Sequence, residues 1–176
     1  RRCCRVSRSR RGSGWHAQPG DEAETVVHNR VAGLEHVPDF VARWHDFRTV
    51  VAVGFADEAA LIEPATVPAG SPIDLKSCCL EQSNGSTMIA GRWWQSRRNH
   101  ETLAQRGGYY VLTIYWPVLE DPLVATVAVS AEQFDDLVSW TSTGSGSGTR
   151  EECAKLSWTS VFDRETIDVR AGGELA

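Results

Sequence analysis

The stretch Ser71-Pro-Ile-Asp-Leu-Lys-Ser77 follows the turn residues at 68–70 and is predicted to form a β-strand. Two shorter runs come before it. Residues 49–53 are rich in β-branched side chains and end at a glycine, and residues 59–63 end at a proline. Three strands joined by short turns predict a β-meander.

Residues 109–116 form the most continuous apolar and aromatic run of the chain, so we expect a strand that is buried on both faces. A helix is predicted before it at 97–106, ended by a Gly-Gly pair. Residues 123–129 predict a further strand, and Ser130 is predicted to cap a helix at 131–140.

Two more helical patterns lie upstream of the meander. One begins at Asp21, and the other covers 39–46, with apolar residues on one face. Helices on both sides of a group of strands indicate the α/β class, with a mixed central β-sheet flanked by helices.

The ends of the chain differ in composition from this core. Residues 1–20 form an Arg-rich leader that we expect to be disordered or spurious, with a phosphate-binding arm as the alternative. Residues 21–140 are predicted to be one α/β domain, and residues 141–150 a Ser/Gly linker. Residues 151–176 are predicted to be a tail that packs on the domain through its apolar side chains.

The 176 residues suit one domain with a core, and 41% hydrophobic with 23% charged residues argues against a disordered or fibrous chain. No run approaches the about eighteen apolar residues of a transmembrane helix, and no apolar run follows the basic start as in a secretory signal. The five Cys show no zinc-binding spacing and are predicted to be free thiols. These features favour a cytoplasmic protein.

Charge is unevenly distributed along the chain. Residues 12–176 hold 12 Lys and Arg against 23 Asp and Glu, a formal charge of −11. An acidic surface with almost no Lys is typical of proteins kept soluble in concentrated salt, which favours a haloarchaeal source. Nucleic-acid binding by such a body would depend on metal bridges, stacking and shape more than on net charge.

Asp74 and Lys76 lie two residues apart on the predicted strand, so both side chains project from one face. A carboxylate there can hold a divalent cation while the Lys orients or helps to deprotonate a water, provided that an adjacent strand supplies a second carboxylate. Asp57 is suitably placed for this second role, with Glu58 and Glu63 as alternatives. An ordinary salt bridge on the protein surface would show the same Asp-x-Lys pattern in the sequence.

The order of elements over residues 21–116, with an acid before the second strand and an acid-x-Lys in the third, resembles the core of the PD-(D/E)XK nuclease superfamily. The resemblance implies a restriction-endonuclease-like fold and a metal-dependent phosphodiesterase. In it Asp57 and Asp74 would bind Mg²⁺ or Mn²⁺, the Leu75 carbonyl would complete the metal site, and Lys76 would serve the attacking water. To share one ion, the Asp57 and Asp74 carboxylates must come within about 5 Å of each other.

A second resemblance is local. The segments 91–94 (Gly-Arg-Trp-Trp), 98–101 (Arg-Asn-His-Glu) and 107–112 (Gly-Gly-Tyr-Tyr-Val-Leu) are similar to those of uncharacterised haloarchaeal proteins. The side chains of this region predicted to contact nucleic acid by charge or stacking are Arg92, Trp93, Arg97, Arg98 and His100. The alternative is that the aromatic residues and the His lie in the core and the Arg residues on a solvated helix face.

These features predict a metal-dependent nuclease that hydrolyses phosphodiester bonds in DNA or RNA, with nucleic acid as its partner, no membrane association and a homodimer as one option. Two alternatives stay open. A catalytically inactive relative would act as a nucleic-acid-binding or assembly module, which is favoured by Gln95-Ser96, where the haloarchaeal proteins are more basic and apolar. An accessory structural protein of a plasmid, virus or host would use Asp74 and Lys76 only as a salt pair.

Overall fold

The structure is a computed structural model and describes residues 19–38, 40–143 and 151–172. The helices are α1 (Pro19–Arg30), α2 (Arg97–Gln105), α3 (Ala131–Leu137) and α4 (Arg164–Arg170), and a 3-10 turn covers Trp158–Ser160. The strands are β1 (Leu34–His36), β2 (Phe47–Thr49), β3 (Val53–Gly54), β4 (Thr66–Val67), β5 (Pro72–Cys79), β6 (Glu81–Asn84), β7 (Thr87–Ala90), β8 (Arg92–Ser96), β9 (Tyr109–Tyr115), β10 (Leu123–Ser130), β11 (Thr141–Thr143) and β12 (Glu151–Ser157).

Five strands form the central sheet in the order β1-β2-β5-β9-β10. β5 and β9 are parallel, with Asp74 opposite Tyr110 and Ser77 opposite Thr113, whereas the other neighbours are antiparallel. The parallel pair requires a crossover, which the segment from β6 to α2 provides. The predicted α/β class with a mixed central sheet flanked by helices is therefore confirmed.

Two apolar clusters cover the two faces of this sheet. On one face, Val27 of α1 belongs to a cluster with Leu75 and Val111. On the other, Leu103 of α2 and Phe134 of α3 belong to a cluster with Tyr110, Leu112, Ile114 and Ile167 of α4. Neighbouring residues of β9 fall in different clusters because side chains alternate along a strand. Burial of β9 on both faces confirms the prediction for this segment.

A second, antiparallel sheet has the order β11-β12-β8. It meets the central sheet at Gly91, where an added Cβ would lie 1.7 Å from the Cys79 carbonyl oxygen, so only glycine fits this close approach. Next to it, the Trp158 N–H donates to the Gly91 carbonyl at 3.2 Å and the Trp158 ring N–H donates to the Leu80 carbonyl at 2.7 Å. These contacts fasten the two sheets together.

Several local predictions are wrong. Residues 40–46 form turns instead of a helix, and Phe40 is 88% exposed. The predicted strand at 59–63 forms turns with one isolated bridge, and the predicted strand at 49–53 is divided between β2 and β3. Residues 81–90 form the β6–β7 hairpin around Gly85, whose φ of 73° suits a tight turn.

The C-terminal segment is built into the core. β12 pairs with β8 from Cys153 opposite Ser96 to Ser157 opposite Arg92. The apolar side chains of the expected patch are all buried, namely Leu156, Trp158, Val161 and Phe162.

Residues 141–143 of the expected linker form β11, while 144–150 lie outside the described residues, as do residues 1–18 of the expected leader. No helix in the described part of the chain is long and apolar enough to cross a bilayer.

Candidate active site

Asp74 and Lys76 form an ion pair on β5. The Lys76 Nζ donates to Asp74 Oδ1 at 2.6 Å, and the side chains of Lys76 and Asp74 are 26% and 4% exposed. Their two-residue spacing places both on one face of the strand, as predicted. Because the carboxylate is buried, the pair is not a surface salt bridge.

Asp46 lies against the same strand, immediately before β2. Its backbone N–H donates to the Ile73 carbonyl at 2.9 Å, and its own carbonyl accepts from the Val37 N–H at 2.8 Å. Its carboxylate Oδ2 accepts from the Leu75 N–H at 2.8 Å. These three hydrogen bonds fix Asp46 beside the strand that carries Asp74. Burial raises the pKa of Asp74, and the charge of Asp46 raises it further.

The Leu75 carbonyl faces the side of β5 on which Asp46 lies. The N–H and C=O of one residue point to the same edge of a strand, and the Leu75 N–H points to Asp46. The pairing of β2 with β5 ends at Phe47 opposite Ile73, so β2 does not cover this stretch. A backbone oxygen is therefore available next to the two carboxylates.

The electrostatics of the site favour an added cation. Burial raises the pKa of Asp74 to about 7; the charge of Lys76 opposes this rise and that of Asp46 adds to it. Burial also lowers the pKa of Lys76, but Asp74 and Asp46 more than compensate, so this pKa is raised and the Lys stays protonated. When Asp74 is ionised, two carboxylates beside one ammonium leave uncompensated negative charge, with Asp74 buried and Asp46 half-buried.

Gln95 holds the second oxygen of Asp74. Its Nε2 donates to Asp74 Oδ2 at 3.1 Å and to the Tyr110 hydroxyl at 2.9 Å, and its side chain is buried. Gln95 therefore belongs to the site. The feature that favoured an inactive relative turns out to be a contact to the central carboxylate.

The donors present fit Mg²⁺ or Mn²⁺. Carboxylate and carbonyl oxygens are hard ligands, and Mg²⁺ is commonly held by one or two carboxylates with water in its other positions. In the parts of the chain that the structure describes, no group of three or more His, Cys, Asp or Glu side chains is arranged to hold a metal. Asp46, Asp74 and the Leu75 carbonyl would thus form a partly hydrated site.

Asp57, the predicted partner of Asp74, is engaged elsewhere. Arg170 Nη1 lies 2.8 and 3.0 Å from its two oxygens, which also accept from the backbone N–H groups of Ala59 and Thr126. Thr126 is level with Ser77 but two strands away from β5, about 10 Å across the sheet. The structure does not bring Asp57 to Asp74; the neighbouring position belongs to Asp46.

Neither alternative acid takes that position. The Glu58 carboxylate pairs with Arg170 at 3.0 Å. Glu63 lies beside α3, where its backbone carbonyl accepts from the Gln133 side chain at 3.3 Å.

Two of the residues predicted to contact nucleic acid lie in the core. Trp93 is 1% exposed, and its ring N–H donates to the Thr113 carbonyl at 3.0 Å; His100 is 5% exposed and contacts Tyr110. Neither can reach a ligand, so the core interpretation holds for them. The adjacent Trp94 is 49% exposed instead, because side chains alternate along β8.

The predicted Arg residues differ among themselves. Arg92 and Arg98 are exposed. Arg97 is committed to an ion pair with Glu101 at 3.0 Å and to a second with Glu152 at 3.5 Å.

The sequence matches a known protein family. A family model described as "PD-(D/E)XK nuclease superfamily domain" matches residues 9–163. The chain belongs to the PD-(D/E)XK nuclease superfamily. Its mixed sheet is the restriction-endonuclease-like core of this superfamily, and the function is nuclease-like. No curated protein and no solved structure gives a significant match.

Two residues of the candidate site escaped prediction for identifiable reasons. Asp46 ends a stretch with helical periodicity, which hides its position in front of β2. Gln95 precedes α2 without a turn signal, so β8 is not separated from the helix. The signal that was available for Asp46 is an acid three residues before the β-branched run that begins at Thr49.

Proposed function

We propose that this chain is a metal-dependent nuclease that hydrolyses phosphodiester bonds in DNA or RNA. Asp46, Asp74 and the Leu75 carbonyl would hold Mg²⁺ or Mn²⁺, and Lys76 would lie beside the attacking water. The observation that carries the proposal is the pair of adjacent carboxylates, Asp46 and Asp74, next to a protonated Lys on a central strand.

The bound ion would neutralise phosphate charge and activate water. The protein groups prepare the site for it. Asp46 is fixed by three hydrogen bonds, and each oxygen of Asp74 accepts one, from Lys76 and from Gln95. Lys76, which donates to Asp74 Oδ1 at 2.6 Å, would orient the water and stabilise negative charge on the phosphate.

A basic and aromatic group beside Asp46 supports nucleic acid as the substrate. The Trp44 ring lies 4.0 Å from the ring of His45, and the exposed Arg106 guanidinium lies 6.0 Å from the Trp44 ring centroid. Burial lowers the pKa of His45, and the charge of Arg106 lowers it further. The Arg106 charge therefore lies near the site. Arg106 is therefore our candidate for a phosphate contact, and Trp44 for a base or sugar contact.

Cleavage of labelled single-stranded, duplex and branched DNA and of RNA, with Mg²⁺ or Mn²⁺ over a series of salt concentrations, tests this proposal. We expect Asp46→Asn and Asp74→Asn to lose cleavage. Asp57→Asn is the matched control: it also removes one partly buried carboxylate, and it should retain cleavage wherever it is folded. Loss in Asp57→Asn with activity kept in Asp46→Asn would overturn the assignment.

An inactive relative gives a different result. It would bind nucleic acid without cleaving any of these substrates, and its binding would survive Asp74→Asn. This outcome would leave the fold assignment intact and remove the proposed activity.

A further inference from the structure

A chain of polar side chains runs from Asp74 to the protein surface on the side of α2 and α3. Its members, in order, are Gln95, Tyr110, His100 and Asp135. Tyr110 and His100 are 0% and 5% exposed, whereas the Asp135 side chain is 54% exposed. Buried polar groups usually form hydrogen bonds, so the direction of each bond in this chain can be derived.

The first bonds are fixed by the carboxylate. The Gln95 amide nitrogen faces Asp74 Oδ2 at 3.1 Å, and the carboxylate oxygen accepts its hydrogen bond. The second N–H of the same nitrogen donates to the Tyr110 oxygen at 2.9 Å. The Tyr110 hydroxyl has then accepted one bond and has one proton left to donate.

That proton goes to His100. The His100 Nδ1 lies 3.2 Å from the Tyr110 oxygen, and it must be unprotonated to accept. The proton of a neutral imidazole is then on Nε2, which faces Asp135 Oδ1 at 3.6 Å, where the negative charge favours it. Asp135 is held in turn by the Trp140 ring N–H, which donates to Oδ1 at 2.6 Å.

Packing fixes the His100 ring. It lies parallel to the Tyr110 ring, with an interplanar angle of 2°, and it contacts the rings of Phe134 and Trp140. Burial lowers the pKa of His100, and Arg97 lowers it too, while Asp135 and Glu101 oppose this effect. The neutral form with a proton on Nε2 is thus consistent with every group around the ring.

We propose that Tyr110, His100 and Asp135 are positioning residues that hold the Gln95 amide in the one orientation in which it donates to Asp74. The inference rests on the proposed function only for its effect on metal binding; the hydrogen-bond directions stand by themselves. If the Tyr110 hydroxyl lost its acceptor on His100, it would compete to donate to the Gln95 oxygen and turn the amide away from Asp74. Groups that orient a metal ligand in this way typically change metal affinity by about 10- to 100-fold.

Substitutions of His100 separate positioning from packing. In His100→Asn the amide oxygen occupies the place of Nδ1 and keeps an acceptor for Tyr110, although the smaller side chain leaves a cavity. In His100→Leu the cavity is better filled, but the acceptor is lost. We therefore expect His100→Leu to be the more stable of the two variants and His100→Asn to bind Mn²⁺ more tightly. If His100 had a merely structural role, the more stable variant would also bind Mn²⁺ more tightly.

Mn²⁺ affinity, measured by calorimetry on the full chain without nucleic acid, is the first readout. We expect His100→Leu and Tyr110→Phe to bind Mn²⁺ at least about ten-fold more weakly, and His100→Asn to stay within about three-fold of the wild type. Asp136→Asn, the neighbouring exposed acid on α3, is the control and should not change the affinity. Equal affinities in His100→Asn and His100→Leu, or a ranking that follows stability, would overturn the proposal.

Nitrogen NMR of the His100 ring is the second readout and needs no metal. We expect Nδ1 unprotonated and Nε2 protonated near neutral pH, with the resonance assigned by its loss in His100→Asn. A proton on Nδ1 would refute the chain of hydrogen bonds. A wild-type protein that shows the expected tautomer but neither binds Mn²⁺ nor cleaves nucleic acid would instead contradict the proposed function.

Discussion

Replacing Asp74 by Asn is expected to stabilise the metal-free protein while abolishing its response to divalent metal. Burial, with help from Asp46, raises the pKa of Asp74 from 3.8 to about 7. A carboxyl whose pKa is higher in the folded state disfavours folding once it ionises, so stability falls as the pH rises from about 4 to about 7. The ionised form of Asp74 therefore lowers the free energy of unfolding, while it keeps the site ready for a cation.

The magnitude follows from the size of the shift. At 1.36 kcal/mol per pKa unit, the cost to the folded state is about 4 kcal/mol at about pH 8 and about 2 kcal/mol at about pH 5. Asn removes this cost, but an amide has only one oxygen and so loses one of the two bonds that Lys76 and Gln95 make to Asp74, at about 1 kcal/mol. The net expected gain is about 3 kcal/mol at about pH 8 and about 1 kcal/mol at about pH 5.

Urea unfolding in EDTA at the two pH values measures this gain. In Mg²⁺ the wild type should gain stability by ligand linkage and Asp74→Asn should not. A variant less stable than the wild type at about pH 8, or a difference between them that does not change with pH, would refute the reasoning.

Three further predictions concern the site and its surroundings. Lys76→Ala should abolish cleavage and leave the circular dichroism of the fold intact, while lowering unfolding free energy by about 2 kcal/mol because Asp74 loses its ion-pair partner; unchanged cleavage would remove Lys76 from the mechanism. Arg106→Gln should reduce the slope of log binding constant against log salt by about 1, and Arg164→Gln, an exposed Arg on α4, should not. Arg170→Ala should cost about 2 kcal/mol in urea unfolding because Asp57 loses its partner, with no change in Mn²⁺ affinity, and a large loss of that affinity would place Asp57 near the metal after all.

The sequence was most informative where one segment determines its own structure. The Asp-x-Lys strand, the buried strand at 109–115 and the helix at 97–105 were predicted because their periodicity and end signals are local. Ser130 was also predicted as a cap, and its side chain accepts from the Gln133 N–H at 3.1 Å.

Prediction failed where long-range contacts determine the structure. Residues 40–46 have a helical apolar pattern, yet Asp46 bonds to Ile73 and Leu75 of a distant strand and the chain turns there instead. The choice of Asp57 over Asp46 has the same origin. Sequence order suggested which acids precede a strand, but only strand pairing shows which acid lies beside Asp74.

The pairing of β8 with β12 has a consequence for synthesis on the ribosome. Gln95, which orients Asp74, lies on β8, and the strand that pairs with β8 is made some sixty residues later, at 151–157. While β12 is still inside the exit tunnel, β8 has no strand neighbour in its sheet and Trp158 has not docked on Leu80 and Gly91. Domains tend to fold as units when their last elements emerge. A nascent chain would therefore carry both carboxylates long before it carries an assembled site, so the proposed activity would be absent from an incomplete product.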